Sequence, residues 1–141
     1  NYIHLTLNES VTMELKRLPC EGEDSLLCVV TTWKGPAEES NVKFFTQEWQ
    51  SIIVPKAFEG GDYYELASRL TQRPDIMSKA RYDELCAMID PIMLSAKLSI
   101  ADNVLHVKLS LPLLKADDQR KLSSVMNPID LHWDGRGFNT K

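Results

Sequence analysis

The hydrophobic period of this chain changes twice along its length, and that change limits the folds open to it. Ile3, Leu5 and Leu7 alternate with His4 and Thr6, and Val11, Met13 and Leu15 alternate with Thr12, Glu14 and Lys16. That two-residue period is the mark of a half-buried strand. Leu26 to Trp33 is rich in β-branched residues and almost wholly apolar, which predicts a central strand buried on both faces. Val42 to Thr46 and Ser51 to Val54 are shorter strand candidates, with Ala37–Asn41 read as a polar loop and Pro55 closing the second strand.

The middle of the chain has a helical period. Tyr63, Leu66, Ala67 and Leu70 recur at i, i+3, i+4 and i+7 behind Asp62, which is placed to cap the first amides. A second helix is expected from Ser78, with Tyr82, Leu85, Cys86, Ile89 and Met93 on one face, ending or kinking near Asp90-Pro91. Period two then returns. Leu105, Val107, Leu109 and Leu111 alternate with His106, Lys108 and Ser110, and Ala101-Asp102-Asn103 supplies a hairpin turn after Leu98 and Ile100. A short helix over Asp117–Met126 and a strand through Ile129, Leu131 and Trp133 complete the pattern, and the tail from about residue 135 is expected to fray.

Strands grouped first and helices after them predict an α+β fold. The expected form is a mostly antiparallel sheet, with two main helices in the middle of the chain and a C-terminal hairpin. Its 141 residues suit a single globular domain with a substantial core.

Charge excludes some functions. Sixteen Lys and Arg against 20 Asp and Glu give −4, which is not the electrostatic footprint of a nucleic-acid binder. No apolar stretch approaches the ~20 residues of a membrane-spanning helix. Cys20 and Cys28 bracket the acidic segment Glu21–Leu27 between two strand ends, the arrangement of a disulfide-clamped loop. A disulfide there, with a start at Asn1 read as the product of signal-peptide removal, predicts a periplasmic or secreted protein. Cys86 is expected to be a buried, inert thiol.

The chain carries no Gly-x-Ser-x-Gly elbow, no Walker-type loop and no Gly-x-Gly-x-x-Gly. Asp130, His132 and Asp134 share one face of a strand, but neighbours two apart stand ~6.6 Å apart, too far for all three to grip one ion. No metal and no cofactor is expected. Gly60-Gly61 precedes a helix start, but Glu59, Asp62 and Glu65 would repel an anion there.

The favoured contact surface is the loop holding Phe58, Glu59, Asp62 and Tyr64, where aromatic side chains stand beside acids. The alternative is that Phe58 and Tyr63 tuck into the core as a hydrophobic staple does. The function expected is binding of another protein rather than catalysis, in the manner of an inhibitor or immunity protein that blocks its partner. The alternatives are a small enzyme with dispersed groups such as His106, His132 and Asp134, or an accessory subunit of a cell-envelope complex. The oligomeric state is left open.

Overall fold

Two antiparallel sheets carry the structure, a computed structural model that describes residues 1–55, 57–59, 61–111 and 114–140, with Glu23 described through its backbone alone. The first sheet is a meander of five strands, β1 (Tyr2–Asn8), β2 (Val11–Cys20), β3 (Glu23–Lys34), β4 (Glu38–Phe45) and β5 (Ser51–Ile52). The second has four, β6 (Met93–Leu98), β7 (Val104–Ser110), β8 (Ile129–Trp133) and β9 (Phe138–Asn139). A 3-10 helix (Tyr63–Arg69) and α1 (Lys79–Cys86) connect the sheets, and α2 (Ala116–Ser123) connects β7 to β8. The fold is α+β with antiparallel sheets. Its helical elements are shorter than the periodicity suggested: the first of the two in the middle of the chain is a 3-10 helix, and the short late helix is found as α2 between β7 and β8.

The 3-10 helix explains its own pattern. Tyr63 and Leu66 are buried three apart, where side chains eclipse one another in a 3-10 turn, and Leu70 is buried at its C-cap. Asp62 Oδ1 accepts from the amides of Tyr64 at 2.8 Å and Glu65 at 3.1 Å, the expected cap. Gly61 precedes it at φ 143°, a backbone setting that favours glycine. In α1, Ser78 caps through the Arg81 amide, and Leu85 and Ile89 face the core, while Cys86 is only half-buried.

The largest departure lies in β2. The apolar residues Val11, Met13 and Leu15 were expected on the buried face, and the reverse is found. Glu14 is 7% exposed and Lys16 2%, while the outer face shows Ile3 at 50%, Leu5 at 43% and Trp33 at 44%. The second sheet supplies the reason. Its edge strand β6 lies against β4 and reaches β3 and β2, and an edge carries backbone groups that need partners.

Glu14 accepts from the Leu98 amide at 3.3 Å and from the Tyr2 hydroxyl at 2.7 Å. Lys16 Nζ donates to the carbonyls of Ser99 at 2.7 Å and Ile100 at 3.5 Å, and to that of Asp102. Ser40, hydrogen-bonded to Thr32 at 2.7 Å, donates to the Ala96 carbonyl at 3.3 Å. Ser110 donates to the Glu38 carbonyl. The polar row of the first sheet thus pairs with backbone groups of β6 and of the turn that follows it.

Beyond this polar row the interior is apolar. Leu18, Cys28, Val30 and Phe44 of the first sheet meet Leu94, Ala96, Leu105, Val107 and Leu131 of the second in one continuous cluster. Here alternation in β7 reads as the sequence does, with His106 and Lys108 outside.

Two expectations are corrected. Cys20, Cys28 and Cys86 are all free thiols. Glu21-Gly22 forms a tight turn, with Gly22 at φ 73°, and β3 restarts at once so that Cys20 stands opposite Glu23. Cys28 lies five residues further along β3, about 16 Å at ~3.3 Å per residue, beyond the reach of a disulfide. Cys28 instead sits opposite Lys16 in the core, where burial pushes its thiol well above the ordinary range. The secretion argument loses its disulfide.

The tail does not fray. Phe138 is 1% exposed in β9, and the turn before it docks on the β2–β3 hairpin. There the Glu21 amide donates to the Gly135 carbonyl at 3.2 Å, and Glu21 pairs with Arg136.

Candidate functional site

The loop from residue 57 to 64 is held from both sides. The Phe138 amide donates to the Ala57 carbonyl at 2.6 Å, and the Glu59 amide donates to the Phe138 carbonyl at 2.8 Å. This short parallel bridge extends the second sheet by a fragment of chain. Phe58 is consequently a core residue at 5% exposure and no contact residue. Its ring stacks on Phe138 with centroids 5.8 Å apart, and Phe44, Tyr63 and Trp133 complete the aromatic cluster.

Glu59 is exposed but engaged. Its Oε2 accepts from the Thr140 hydroxyl at 2.7 Å and the Thr140 amide at 2.8 Å, and Arg69 lies 3.7 Å away. These bonds, the Thr140 hydroxyl foremost, hold its carboxyl below the usual carboxylate range. Asp62 is committed to the helix cap. Tyr64 stands free, 60% exposed, with its ring edge-on to Tyr63 at 5.3 Å. Gly60 lies outside the described residues.

Two clefts open on either side of Glu59 and Tyr64, which line both. One, of about 900 Å³, runs along β4 and β5 past Val42, Ile52, Val54 and Tyr63. The other, of about 630 Å³, lies between the 3-10 helix and α1, walled by Ala67, Cys86, Ile89 and Ile92. The walls are largely apolar, and the rims carry Glu59, Asp62 and Glu65 against Arg69 and Lys43. Ile53 and Ile92 are exposed beside the openings.

One polar atom is out of place. The Tyr63 hydroxyl is buried and has no hydrogen-bond partner among the described residues. Burial, reinforced by Tyr64 and Glu39, raises its pKa well above the ordinary phenol value. Buried hydroxyls are normally paired, so this one stands out among the described residues. The sequence placed Tyr63 on the buried face, but the lack of a partner for its hydroxyl left no trace there.

The dispersed histidines and acids do not converge. His106 Nδ1 and Asp130 Oδ1 are 2.6 Å apart on the exposed face of the second sheet. Ser95 borders the same shallow depression, but its hydroxyl donates to Glu38 at 3.4 Å. Asp134 accepts from the amides of Arg136 and Gly137, which lower its pKa as they close the β8–β9 turn. His132 is exposed opposite Asn139. Among the described residues no three His, Cys, Asp or Glu side chains gather as a metal site would require.

Sequence comparison places this architecture in a family. The model described as "Protein of unknown function (DUF3256)" matches residues 1–138. The chain belongs to the DUF3256 family. A solved domain of an uncharacterized protein from Porphyromonas gingivalis W83 is similar in fold, at 20% identity and a TM-score of 0.77. The similarity covers 98% of this chain and 69% of that one, and at this identity it speaks for the fold alone. No curated protein matches the sequence. Within DUF3256, then, the reading of this member rests on its own surface. No helix among the described residues is long and apolar enough to cross a membrane.

Proposed function

We propose that this domain works by binding another protein, taking an extended segment with apolar and basic side chains into the clefts beside Tyr64. The observation that carries the reading is the apolar cleft lined by Tyr63, a residue whose buried hydroxyl has no partner among the described residues. Ligand sites characteristically combine apolar walls with a few polar groups that fix orientation. An extended peptide brings both apolar side chains and backbone carbonyls, and a carbonyl is the acceptor that hydroxyl lacks.

The acids of the rims select the charge of the occupant. Glu59, Asp62 and Glu65 favour a lysine or arginine flanking the apolar residues. Tyr64 is the anchor, because it is exposed, aromatic and held by Tyr63. An inhibitor-type role, in which the domain occupies and blocks a segment of its partner, fits this arrangement.

Peptides selected from a random display library are expected to combine Leu, Ile or Phe with Lys or Arg. Tyr64→Ala should weaken such a peptide about tenfold or more, equivalent to about 1.4 kcal/mol, with little change in thermal midpoint. Glu59 is a poor first target, since reversing its charge would release Thr140. Acidic consensus peptides, or undiminished binding by Tyr64→Ala, would place the interface elsewhere.

A further inference from the structure

The outer face of the five-stranded sheet is largely apolar and partly exposed, with Ile3, Leu5 and Trp33 open to solvent, Val11, Met13 and Leu15 half-buried, and Val29 buried among them. Register aligns its side chains in rows across the strands. Ile3, Leu15, Val29 and Lys43 form one row, and Leu5, Met13, Thr31 and Asn41 the next. Val11, Trp33 and Glu39 form a third. Strand β1 overhangs the second sheet, so His4 and Thr6 on its other face are exposed as well. An exposed apolar surface of this kind on a folded domain marks an interaction site.

We propose that this face is the interface of a homodimer, two copies packing outer sheet to outer sheet about a two-fold axis. The rows select that occupant, because the face is complementary to itself. An axis lying across the strands over the Leu5–Met13–Thr31–Asn41 row brings each flanking row onto the other in the second copy. Val11 then meets Leu15, Trp33 meets Val29, and Glu39 meets Lys43 of opposite charge. β1 carries no charged residue from Tyr2 to Asn8, so no like charges oppose one another where its two copies meet. Sheets packed face to face stand ~10 Å apart, a spacing that side chains of this size fill. The contact is isologous and closes at two subunits. Glu39 and Lys43 stand on one face with opposite signs, a pattern suited to a copy of itself rather than to an anionic lipid surface.

Light scattering after gel filtration reads the state directly. The wild type should have twice the 16.0 kDa mass of the chain. Leu5→Lys should run as a monomer with an unchanged far-ultraviolet dichroism spectrum, because Leu5 lies on the overhanging strand. Glu39→Lys and Lys43→Glu should each shift the protein toward monomer, and the two combined should restore the dimer. A monomeric wild type would overturn the proposal, whether or not it binds phosphatidylcholine–phosphatidylglycerol vesicles. So would a dimer indifferent to Leu5→Lys, which would show that the copies meet elsewhere.

Discussion

Phe138→Ala is expected to cost about 3–5 kcal/mol of stability, the range for removing a large aromatic side chain from a packed core. Phe138 is 1% exposed and touches Phe44, Phe58 and Trp133. The loss reaches beyond packing. β9 also holds the Ala57–Glu59 segment by two backbone hydrogen bonds, so a loosened tail releases the floor beside both clefts. A domain of this size loses roughly 2–4 °C per kcal/mol, so a fall on the order of 10 °C in thermal midpoint should follow. Chemical denaturation of the purified variant checks it. A loss below about 1 kcal/mol would mean that the tail is an appendage.

Lys16→Met should cost about 2–4 kcal/mol although it adds an apolar side chain to an interior. Lys16 Nζ donates to the carbonyls of Ser99, Ile100 and Asp102, and hydrogen bonds from a charged donor contribute more than neutral ones. Methionine fills much of the space but offers no donor. The buried Glu14 carboxylate would also remain on the same strand face without its cationic neighbour. The urea midpoint should fall with the m-value unchanged. If Lys16→Met is neutral or stabilising, the lysine is a solvated side chain and the edge of the second sheet is satisfied by other means.

These two residues also show what the sequence could and could not disclose. Strands β1, β2, β7 and β8 are legible from alternation of apolar and polar side chains, which belongs to the backbone geometry itself, and β3 from its apolar run, whereas the first half of β4 reads as a loop and Met93 at the start of β6 reads as helix. The side that faces inward does not follow from alternation alone. In β7 the apolar row is buried, since Leu105, Val107 and Leu109 meet the other sheet's core. In β2 the polar row is buried, because a distant strand edge some 84 residues on in the chain presents a bare amide and bare carbonyls to it. That demand is a tertiary fact.

The cysteine pair failed for a local reason. Gly22, with its positive φ, closes the turn in two residues and sends Cys28 far up the next strand, so Glu21–Leu27 is no loop. Gly135-Arg136-Gly137 has the composition of loose chain, yet it is the turn that delivers Phe138 to the core. Of the predicted contact residues, Tyr64 is exposed between the clefts. Phe58 followed the alternative of a residue tucked into the core.

The orientation of the first sheet is the central claim, since both the polar row inside and the apolar face outside depend on it. A one-residue slip in register would exchange the two faces of β2. Amine-reactive labelling of the folded protein, read lysine by lysine by mass spectrometry, tests this directly. Lys16 should label at least about tenfold more slowly than Lys97 and Lys108, which are exposed on the second sheet, because reaching it requires local opening. Denaturation should abolish the difference. If Lys16 in the folded protein labels at the rate of Lys97, β2 turns its polar row to solvent and its apolar row inward, and the account is wrong.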